Sequence, residues 1–333
     1  MRYRFAISLH GFIAASAATI AVALSSSPSL AANAESSAIA ASHSAAASAA
    51  AAAAEPASAA PPASATEAAT VPVPPETSSV THHSIRIDGR KLAYTATAGN
   101  LLLRNNAGDA EASVFYVAYT LDTKQPAQRP ITFLFNGGPG AGSIFLLIGS
   151  VGPKRVRTTS PAATPPAPYV LADNPDSLLD KSDLVFVDAV GTGLSRIVGH
   201  ATGKQFWGVD EDLDAFAHFI ERYVTVNQRW NSPKFLIGES YGTARAAMLA
   251  YKLDQEDMAL NGVVLLSSVL NSGLHAPGYD IVNERYLPTY AAIAWYHDKL
   301  NPKPADLPAF LDEVRAFATG PYAQALAKGD ALG

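Results

Sequence analysis

Polar and apolar residues alternate along the chain between residues 82 and 122. The segment 82–99 alternates on both sides of Asp88-Gly89, a dipeptide that favours the two-residue turn of a β-hairpin. A further alternating run, 113–122, is typical of a third strand. We therefore expect antiparallel strands where the folded part of the chain begins.

Four later runs, which are apolar without alternation, have the character of strands buried on both faces. A segment between the second and third of them, residues 209–227, has apolar residues at helical spacing and acidic residues in its first turn. Strands that alternate with helices predict an α/β fold with a mostly parallel sheet and flanking helices. The four runs are 131–135, 184–188, 234–238 and 262–268.

The N-terminal segment 1–34 has the pattern of a secretory signal peptide. Two arginines precede the mostly apolar stretch 5–24, and small residues follow it, with candidate cleavage sites after Ala31 or Ala34. An uncleaved membrane anchor is the alternative, but His10 and Gly11 interrupt the apolar run. We therefore predict export, to the periplasm or the extracellular space, without stable insertion in a membrane after cleavage.

The next segment, 35–80, consists almost entirely of Ala, Ser, Pro, Thr and isolated Glu residues. Such a sequence has no large side chains to bury and cannot offset the entropy lost on ordering, so it predicts a disordered linker. The α/β core is expected over 81–274. Residues 275–333 change in character, with the helical, aromatic and proline-punctuated stretches 284–300 and 306–320.

Composition excludes several classes of function. The chain has 333 residues, a net charge of −5 and no cysteine. Without a basic patch it gives no indication of nucleic-acid binding, and without cysteine it has no disulfide framework and no thiol chemistry. No sequence motif for a metal or cofactor is present, so we expect none to be needed. The sequence makes no prediction of oligomeric state.

The pentapeptide 238–242 has the form Gly-x-Ser-x-Gly and lies between a predicted strand and a predicted helix. A strand, this turn and a helix in that order form a nucleophile elbow, in which a strained turn exposes the serine hydroxyl. Ser240 is therefore the candidate nucleophile. An ordinary tight turn is the alternative interpretation, and a second glycine-rich loop upstream argues against it.

That second loop, residues 136–140, follows the predicted strand 131–135 and reads Asn-Gly-Gly-Pro-Gly. In an α/β-hydrolase a loop at this place supplies one amide of the oxyanion hole, and the residue after the nucleophile supplies the other. The candidate donors are the amides of Gly138 and Tyr241. Pro139 has no N–H, so the amide before it is the natural choice.

The two loops together resemble the motifs of the serine carboxypeptidase family, and 184–195 is similar to a third motif of that family. Ala141 and Ala189 depart from the pattern, where a cysteine and a proline are usual. The resemblance, to the bacterial exported type, spans about residues 81–333. It implies an α/β-hydrolase fold in which 275–333 begins a helical cap insertion over the active site.

The resemblance also implies a serine-type carboxypeptidase, an enzyme that removes the last residue of a peptide through an acyl-enzyme on Ser240. It places Asn136, Gly137 and Glu239 at the binding site for the free C-terminal carboxylate of the substrate. A carboxylate is repelled by an ionised glutamate, so Glu239 has to be protonated to donate a hydrogen bond. We therefore expect an acidic optimum.

The serine of such an enzyme needs a histidine, and an acid to orient it. In an α/β-hydrolase the acid follows the seventh strand and the histidine follows the eighth. Neither a seventh nor an eighth strand is recognisable before Gly333. The expectation is that this chain lacks the triad Asp and His and is inactive by itself. His275 and His297 follow Ser240, and we interpret them as loop and cap residues.

Two alternatives stay open. The same scaffold could carry an esterase or an acyltransferase, which would not need a free carboxylate on its substrate. The chain could instead be a non-catalytic exported binding module. The carboxypeptidase interpretation predicts a peptide with a free C-terminal carboxylate as the partner.

Overall fold

The structure is a computed structural model, and it describes residues 70–159, 163–271 and 279–332. The predicted signal peptide and the first part of the predicted linker lie outside the described residues. His275, one of the two histidines that follow Ser240, lies outside them as well.

The described residues form strands and helices in the alternating order that the sequence predicts. The strands are β1 (Ser78–Ile87), β2 (Arg90–Arg104), β3 (Ala110–Leu121), β4 (Ile131–Phe135), β5 (Lys154–Val156), β6 (Leu171–Asp173), β7 (Asp183–Val187), β8 (Arg196–Ile197), β9 (Lys234–Glu239) and β10 (Gly262–Leu266). The helices are α1 (Ile144–Gly149), α2 (Val209–Val226), α3 (Tyr241–Gln255), α4 (Ile281–Tyr296), α5 (Leu307–Phe317) and α6 (Ala323–Lys328).

The main sheet has the strand order β1-β2-β3-β7-β4-β9-β10, and β8 pairs with β3 beside this path. The pairs β1/β2, β2/β3 and β3/β7 are antiparallel, whereas β7/β4, β4/β9 and β9/β10 are parallel. Consequently β2, β7, β4, β9 and β10 all run in one direction. This arrangement confirms the predicted α/β-hydrolase fold, with antiparallel strands first and a parallel sheet after them.

The strands β4, β7 and β9 are buried, as their unbroken apolar runs predict. The same prediction is wrong for the fourth run, because β10 is the last strand in the order of the described sheet and residues 263–265 are exposed. In β4 the side chains of Phe133 and Phe135 join a core cluster with α2 and α3, whereas Leu134 joins a second cluster with α1. In β7 the same alternation sends Val185 to the first cluster and Phe186 to the second. Two helical layers therefore hold the sheet between them, and its strand ends are fixed in position.

The first hairpin turns at Asp88-Gly89, as predicted, with φ values of 49° and 75° at these two residues. Its first strand begins at Ser78, inside the segment expected to be linker. Glu76, also in that segment, accepts hydrogen bonds from the amide of Leu102 at 2.7 Å and from the guanidinium of Arg222 at 2.7 Å. The chain just before the predicted boundary at residue 81 is thus attached to the sheet and to α2.

The C-terminal stretches predicted to be helical are helical, with shifted bounds. α4 covers most of 284–300 but begins three residues earlier, and α5 is followed by a π-helical turn over Ala318–Tyr322 before α6. The turn contains Pro321, which lacks the N–H that a regular helix needs at that point. Within the described ranges, no helix combines the length and the apolar character needed to cross a lipid bilayer.

A buried cluster of charges lies at the amino end of the parallel strands. Asp183 at the start of β7 forms ion pairs with Arg129 and Arg229, both at 2.7 Å, and all three side chains are largely buried. The Oδ1 atom of Asp183 also accepts the amide of Leu121 at 2.9 Å. The cluster joins β3, β7 and the segments that precede β4 and β9. It is at the opposite end of the strands from the two glycine-rich loops.

We predict that Asp183→Asn destabilises the fold strongly. The substitution keeps the shape of the side chain but leaves two buried guanidinium groups without their counter-charge, which costs about 3–5 kcal/mol in comparable buried pairs. The free energy of unfolding, measured by urea titration, should fall by an amount of that order.

The matched control is Asp176→Asn, because Asp176 also pairs with an arginine. Asp176 lies 3.1 Å from Arg155, and the two side chains are 63% and 41% exposed, respectively. Loss of this exposed ion pair should cost less than about 1 kcal/mol. Equal losses in the two variants would contradict the role assigned to the cluster.

Candidate active site

The register between β4 and β9 determines which residues meet at the carboxyl end of the sheet. Phe135 pairs with Gly238 in this parallel ladder. The next residues along the two strands, Asn136 and Glu239, therefore lie side by side, and the loops that follow them face each other. Crevices outside the carboxyl ends of parallel strands are where open α/β sheets bind their ligands.

Ser240 lies between β9 and α3 with φ 58° and ψ −125°. This positive φ is a strained conformation for a residue with a side chain, and it is the conformation that a nucleophile elbow requires. The turn closes so tightly that a Cβ on Gly238 would overlap the carbonyl oxygen of Gly242. The structure thus places Ser240 at the tip of a strand–turn–helix elbow, as predicted.

The elbow is held in place from the neighbouring strand. The amide of Ser240 donates to the carbonyl of Leu266 at the end of β10, at 2.9 Å. The carbonyl of Ser240 accepts the hydroxyl of Thr243 at 2.7 Å, and that same hydroxyl accepts the amide of Val269 at 2.9 Å. Thr243 is fully buried, so the backbone of the elbow is anchored on both sides.

The loop 136–140 packs directly against the elbow. A Cβ on Gly137 would overlap the amide nitrogen of Tyr241 and would lie 2.7 Å from the carbonyl oxygen of Glu239. Only glycine allows such an approach of two backbones. The loop therefore lies beside the residue whose amide is predicted to bind the oxyanion.

The two amides predicted to form the oxyanion hole are both available as donors. Across the described ranges, neither the amide of Gly138 nor that of Tyr241 donates a hydrogen bond. Tyr241 is the first residue of α3, where backbone amides have no partner within the helix and where the helix dipole favours a negative charge. This pair of amides has the chemical character required to stabilise an oxyanion.

Asn136 and Glu239, the predicted carboxylate-binding pair, are in direct contact. The amide nitrogen Nδ2 of Asn136 donates to Oε2 of Glu239 at 2.9 Å, and Oδ1 of Asn136 accepts the backbone amide of Leu146 at 3.1 Å. Asn136 is buried, whereas Glu239 is partly exposed. The side-chain amide of Asn136 is therefore fixed by α1, and this amide holds the Glu239 carboxyl beside Ser240.

The third motif, 184–195, packs against the segment that joins the loop 136–140 to α1. Asp188 directly follows β7, and its carboxylate accepts the amides of Ser143 at 2.7 Å and Leu194 at 3.1 Å. Ser143 is the residue that precedes α1. The carboxylate of Asp188 thus joins its own loop to the start of α1, which in turn positions the side chain of Asn136.

The sequence indicates the motif 184–195 but gives no role to Asp188, and none of its motifs includes Arg245. The signal that could have indicated Arg245 is its position in the run 243–249, which is otherwise free of charged residues. A charged residue inside an apolar helical face predicts a buried partner. The partner itself lies on another helix and could not be read from the spacing.

The general base of a triad is not found in the part of the chain that the structure describes. Among the described residues, no histidine ring is hydrogen-bonded to Ser240. His297 caps the end of α4, where its ring contacts the ring of Tyr296. Within the same residues, no group of three or more His, Asp or Glu side chains is arranged to hold a metal ion. The described site therefore brings together the candidate nucleophile Ser240, the two candidate amide donors and the Asn136–Glu239 pair.

The sheet order and the elbow together define an α/β-hydrolase. Comparison with known proteins assigns the chain within that class, because the sequence model of the serine carboxypeptidase family matches residues 93–298. The chain belongs to the serine carboxypeptidase family.

Individual relatives match over shorter stretches. The pheromone-processing carboxypeptidase KEX1 of Saccharomyces cerevisiae is 31% identical over 159 residues, which cover 43% of this chain and 20% of that protein. The crystal structure of a prohormone-processing carboxypeptidase from S. cerevisiae is similar with a TM-score of 0.43 and 18% identity, over 68% of this chain and 47% of that one. A fungal esterase from Rhizomucor miehei matches with a TM-score of 0.33 and 12% identity, over 56% of this chain and 48% of that one. The chain thus spans about a fifth of the curated relative and about half of the solved carboxypeptidase chain.

We predict that Gly137→Ala disables Ser240 in the full-length protein. The added methyl group would overlap the amide of Tyr241, so the loop has to move away from the elbow, and shifts of about 1 Å in a catalytic site cost about 100-fold in rate. The measurement is the rate at which a fluorophosphonate probe labels the serine.

Gly149→Ala is the control, because a Cβ there would meet no atom within 4 Å. Its labelling rate should match that of wild type. A Gly137→Ala protein that labels at the wild-type rate would contradict the close packing of loop and elbow.

Proposed function

We propose that the full-length protein is a serine-type carboxypeptidase that removes the C-terminal residue of peptides. The observation that carries this proposal is the contact between Asn136 and Glu239 directly beside Ser240. Membership of the serine carboxypeptidase family supports it. A hydrolase without a preference for a free carboxylate has no need of a carboxyl–amide pair at this place.

The proposed reaction begins with attack of the Ser240 hydroxyl oxygen on the carbonyl carbon of the last peptide bond. The hydroxyl proton passes to the histidine base that the family resemblance implies. The carbonyl electron pair moves onto oxygen, where the amides of Gly138 and Tyr241 stabilise the negative charge. The intermediate collapses, the C–N bond breaks, and the base returns the proton to the departing amine.

This first half of the reaction releases the terminal amino acid and leaves the rest of the peptide as an ester on Ser240. A water molecule then attacks the ester carbon and gives its proton to the same base. The Ser240 oxygen leaves with a proton, and the shortened peptide is released with a new carboxylate. The proposed chemistry uses no metal and no cofactor.

Recognition of the substrate carboxylate falls to the backbone and side chains next to the nucleophile. We propose that the Nδ2 group of Asn136 and a protonated Glu239 donate to it, with Gly137 providing room for close approach. An uncharged carboxyl can donate to a carboxylate, whereas an ionised one repels it. The protein should therefore bind peptides best at acidic pH.

The N-terminal pattern supports export, and we propose that the enzyme acts in the periplasm or outside the cell. Esterase or acyltransferase activity on the same scaffold and a non-catalytic binding module are the outcomes that would replace this proposal. Comparing a peptide with the same peptide amidated at its C-terminus separates the first two from a carboxypeptidase, because only a carboxypeptidase requires the free carboxylate.

We expect Ser240→Ala to abolish peptide hydrolysis by the full-length protein without unfolding it. Loss of the nucleophile in a serine hydrolase lowers kcat by about a million-fold. Turnover is measured by release of the terminal amino acid, and circular dichroism checks the fold. Activity within about tenfold of wild type would move the nucleophile to another residue.

We also expect Glu239→Gln to flatten the dependence of KM on pH. In the wild type, KM for a peptide should rise as pH increases, because the ionised Glu239 carboxylate repels the carboxylate of the substrate, and this rise should precede any fall in kcat. Glutamine donates a hydrogen bond at every pH. Superimposable KM profiles for the two proteins would exclude Glu239 as the group that senses the substrate carboxylate.

A further inference from the structure

Arg245 on α3 is among the largest fully buried side chains that the structure describes, with 1% of its side chain exposed. Its Nη1 atom donates to the carbonyl oxygen of Asn136 at 2.9 Å, and its Nη2 atom reaches the carbonyl oxygen of Pro139 at 3.4 Å. These two carbonyls flank Gly137 and Gly138. One guanidinium group therefore holds both sides of the segment that carries a proposed oxyanion donor.

The guanidinium is itself oriented from α2. Asp212 accepts its Nε at 2.6 Å and its Nη2 at 3.2 Å, a two-point contact that fixes the plane of the group. Three aromatic rings surround it, with its Cζ atom 4.6 Å from the ring centre of Phe216, 5.6 Å from that of Phe135 and 5.4 Å from that of Tyr241. Charge pairing and ring contacts thus leave the guanidinium little freedom to turn.

The contact with Tyr241 matters because the amide of this residue is the other proposed oxyanion donor. Arg245 follows Tyr241 by one helical turn on α3, so it touches the elbow as well as the loop 136–140. A separate set of contacts, to Leu146 and Glu239, fixes the side chain of Asn136. Arg245 therefore acts on the backbone of the loop more than on the carboxylate-binding side chain.

We propose that Arg245, oriented by Asp212, is a positioning residue that holds the backbone of loop 136–140 in register with the Ser240 elbow, so that the two amide donors converge on one oxyanion. It touches neither substrate nor nucleophile. The proposal rests on the function proposed above only in taking Ser240 as the nucleophile and the amides of Gly138 and Tyr241 as its oxyanion donors.

The test is Arg245→Lys in the full-length protein. A lysine can still pair with Asp212, but its single ammonium cannot reach both loop carbonyls while doing so, because it lacks the planar fork of the guanidinium. We expect kcat for a peptide to fall about 10- to 100-fold, since the loss of one oxyanion donor costs about 100- to 1,000-fold. KM should change less than about threefold, because Asn136 keeps its other side-chain contacts.

A second readout does not depend on the substrate being a peptide. The rate of Ser240 labelling by a fluorophosphonate should fall by the same factor as kcat, because the phosphoryl oxygen of the probe occupies the oxyanion hole during attack. A merely structural role would lower the melting temperature of Arg245→Lys and leave the labelling rate of the folded protein unchanged. That second result would overturn the proposal.

Lys252→Gln is the matched control. Lys252 also lies on α3 and also pairs with an acidic residue of α2, contacting Asp214 at 2.5 Å, but it has no contact with the loop. Its labelling rate should equal that of wild type even if its stability falls. A loss of labelling equal to that of Arg245→Lys would show that any break between the two helices has this effect, and it would contradict a specific role of Arg245.

If Arg245→Lys does not fold, Asp212→Asn decides the question, because asparagine keeps one acceptor while removing the charge that orients the guanidinium. A folded Asp212→Asn protein should label several-fold more slowly than wild type, and wild-type labelling would overturn the proposal. Wild-type protein that shows no Ser240-dependent labelling would contradict the proposed function and, with it, the role of Arg245. Labelling without release of terminal amino acids would contradict only the carboxypeptidase assignment.

Discussion

The parallel pairing of β4 with β9 is the interaction on which the rest of the site depends. Because Phe135 lies opposite Gly238, both strands end at the same level and their loops leave side by side. A shift of this register by one residue would turn Glu239 to the other face of the sheet and separate it from Asn136. The positions of the elbow, of the two amides proposed as oxyanion donors and of the Asn136–Glu239 pair all follow from this ladder.

Two buried arginine–aspartate groups fix the ends of the parallel strands. At the amino end, Asp183 links segments on both sides of β7 through Arg129 and Arg229. At the carboxyl end, Arg245, which is paired with Asp212, donates to carbonyls of the loop that leaves β4. Each buried charge has a partner, as burial of a charge requires. The apolar side chains between these ends determine how the layers pack, while the charged groups determine the positions of the strand ends.

Several elements could be predicted from the sequence because their signal is local. The run 131–135 is a strand within the predicted bounds, since burial on both faces leaves an unbroken apolar pattern. The turn at Asp88-Gly89 follows from the preference of these two residues for positive φ. The elbow at Ser240 is equally local, because its glycines and its flanking elements lie in one stretch of chain.

What could not be predicted depends on partners that are distant in sequence. Residues 78–80 begin β1 although they are exposed and show no apolar pattern, because their pairing with β2 uses the backbone alone. Arg245 acquires its partners from α2 and from a loop more than a hundred residues earlier. The family resemblance places Asn136 and Glu239 in one binding site, but their direct contact depends on a strand register that the sequence does not display.

The backbone-to-backbone contact at Gly137 has a consequence for how this scaffold can change over generations. Where the loop 136–140 meets the elbow, main chain contacts main chain, so any side chain added at Gly137 is rejected whatever its chemistry. Variation is left to positions whose side chains extend away from the centre, such as Phe145 at the start of α1, which is 69% exposed. The close backbone contact and the exposed positions can therefore evolve at different rates, with the first held constant by steric exclusion.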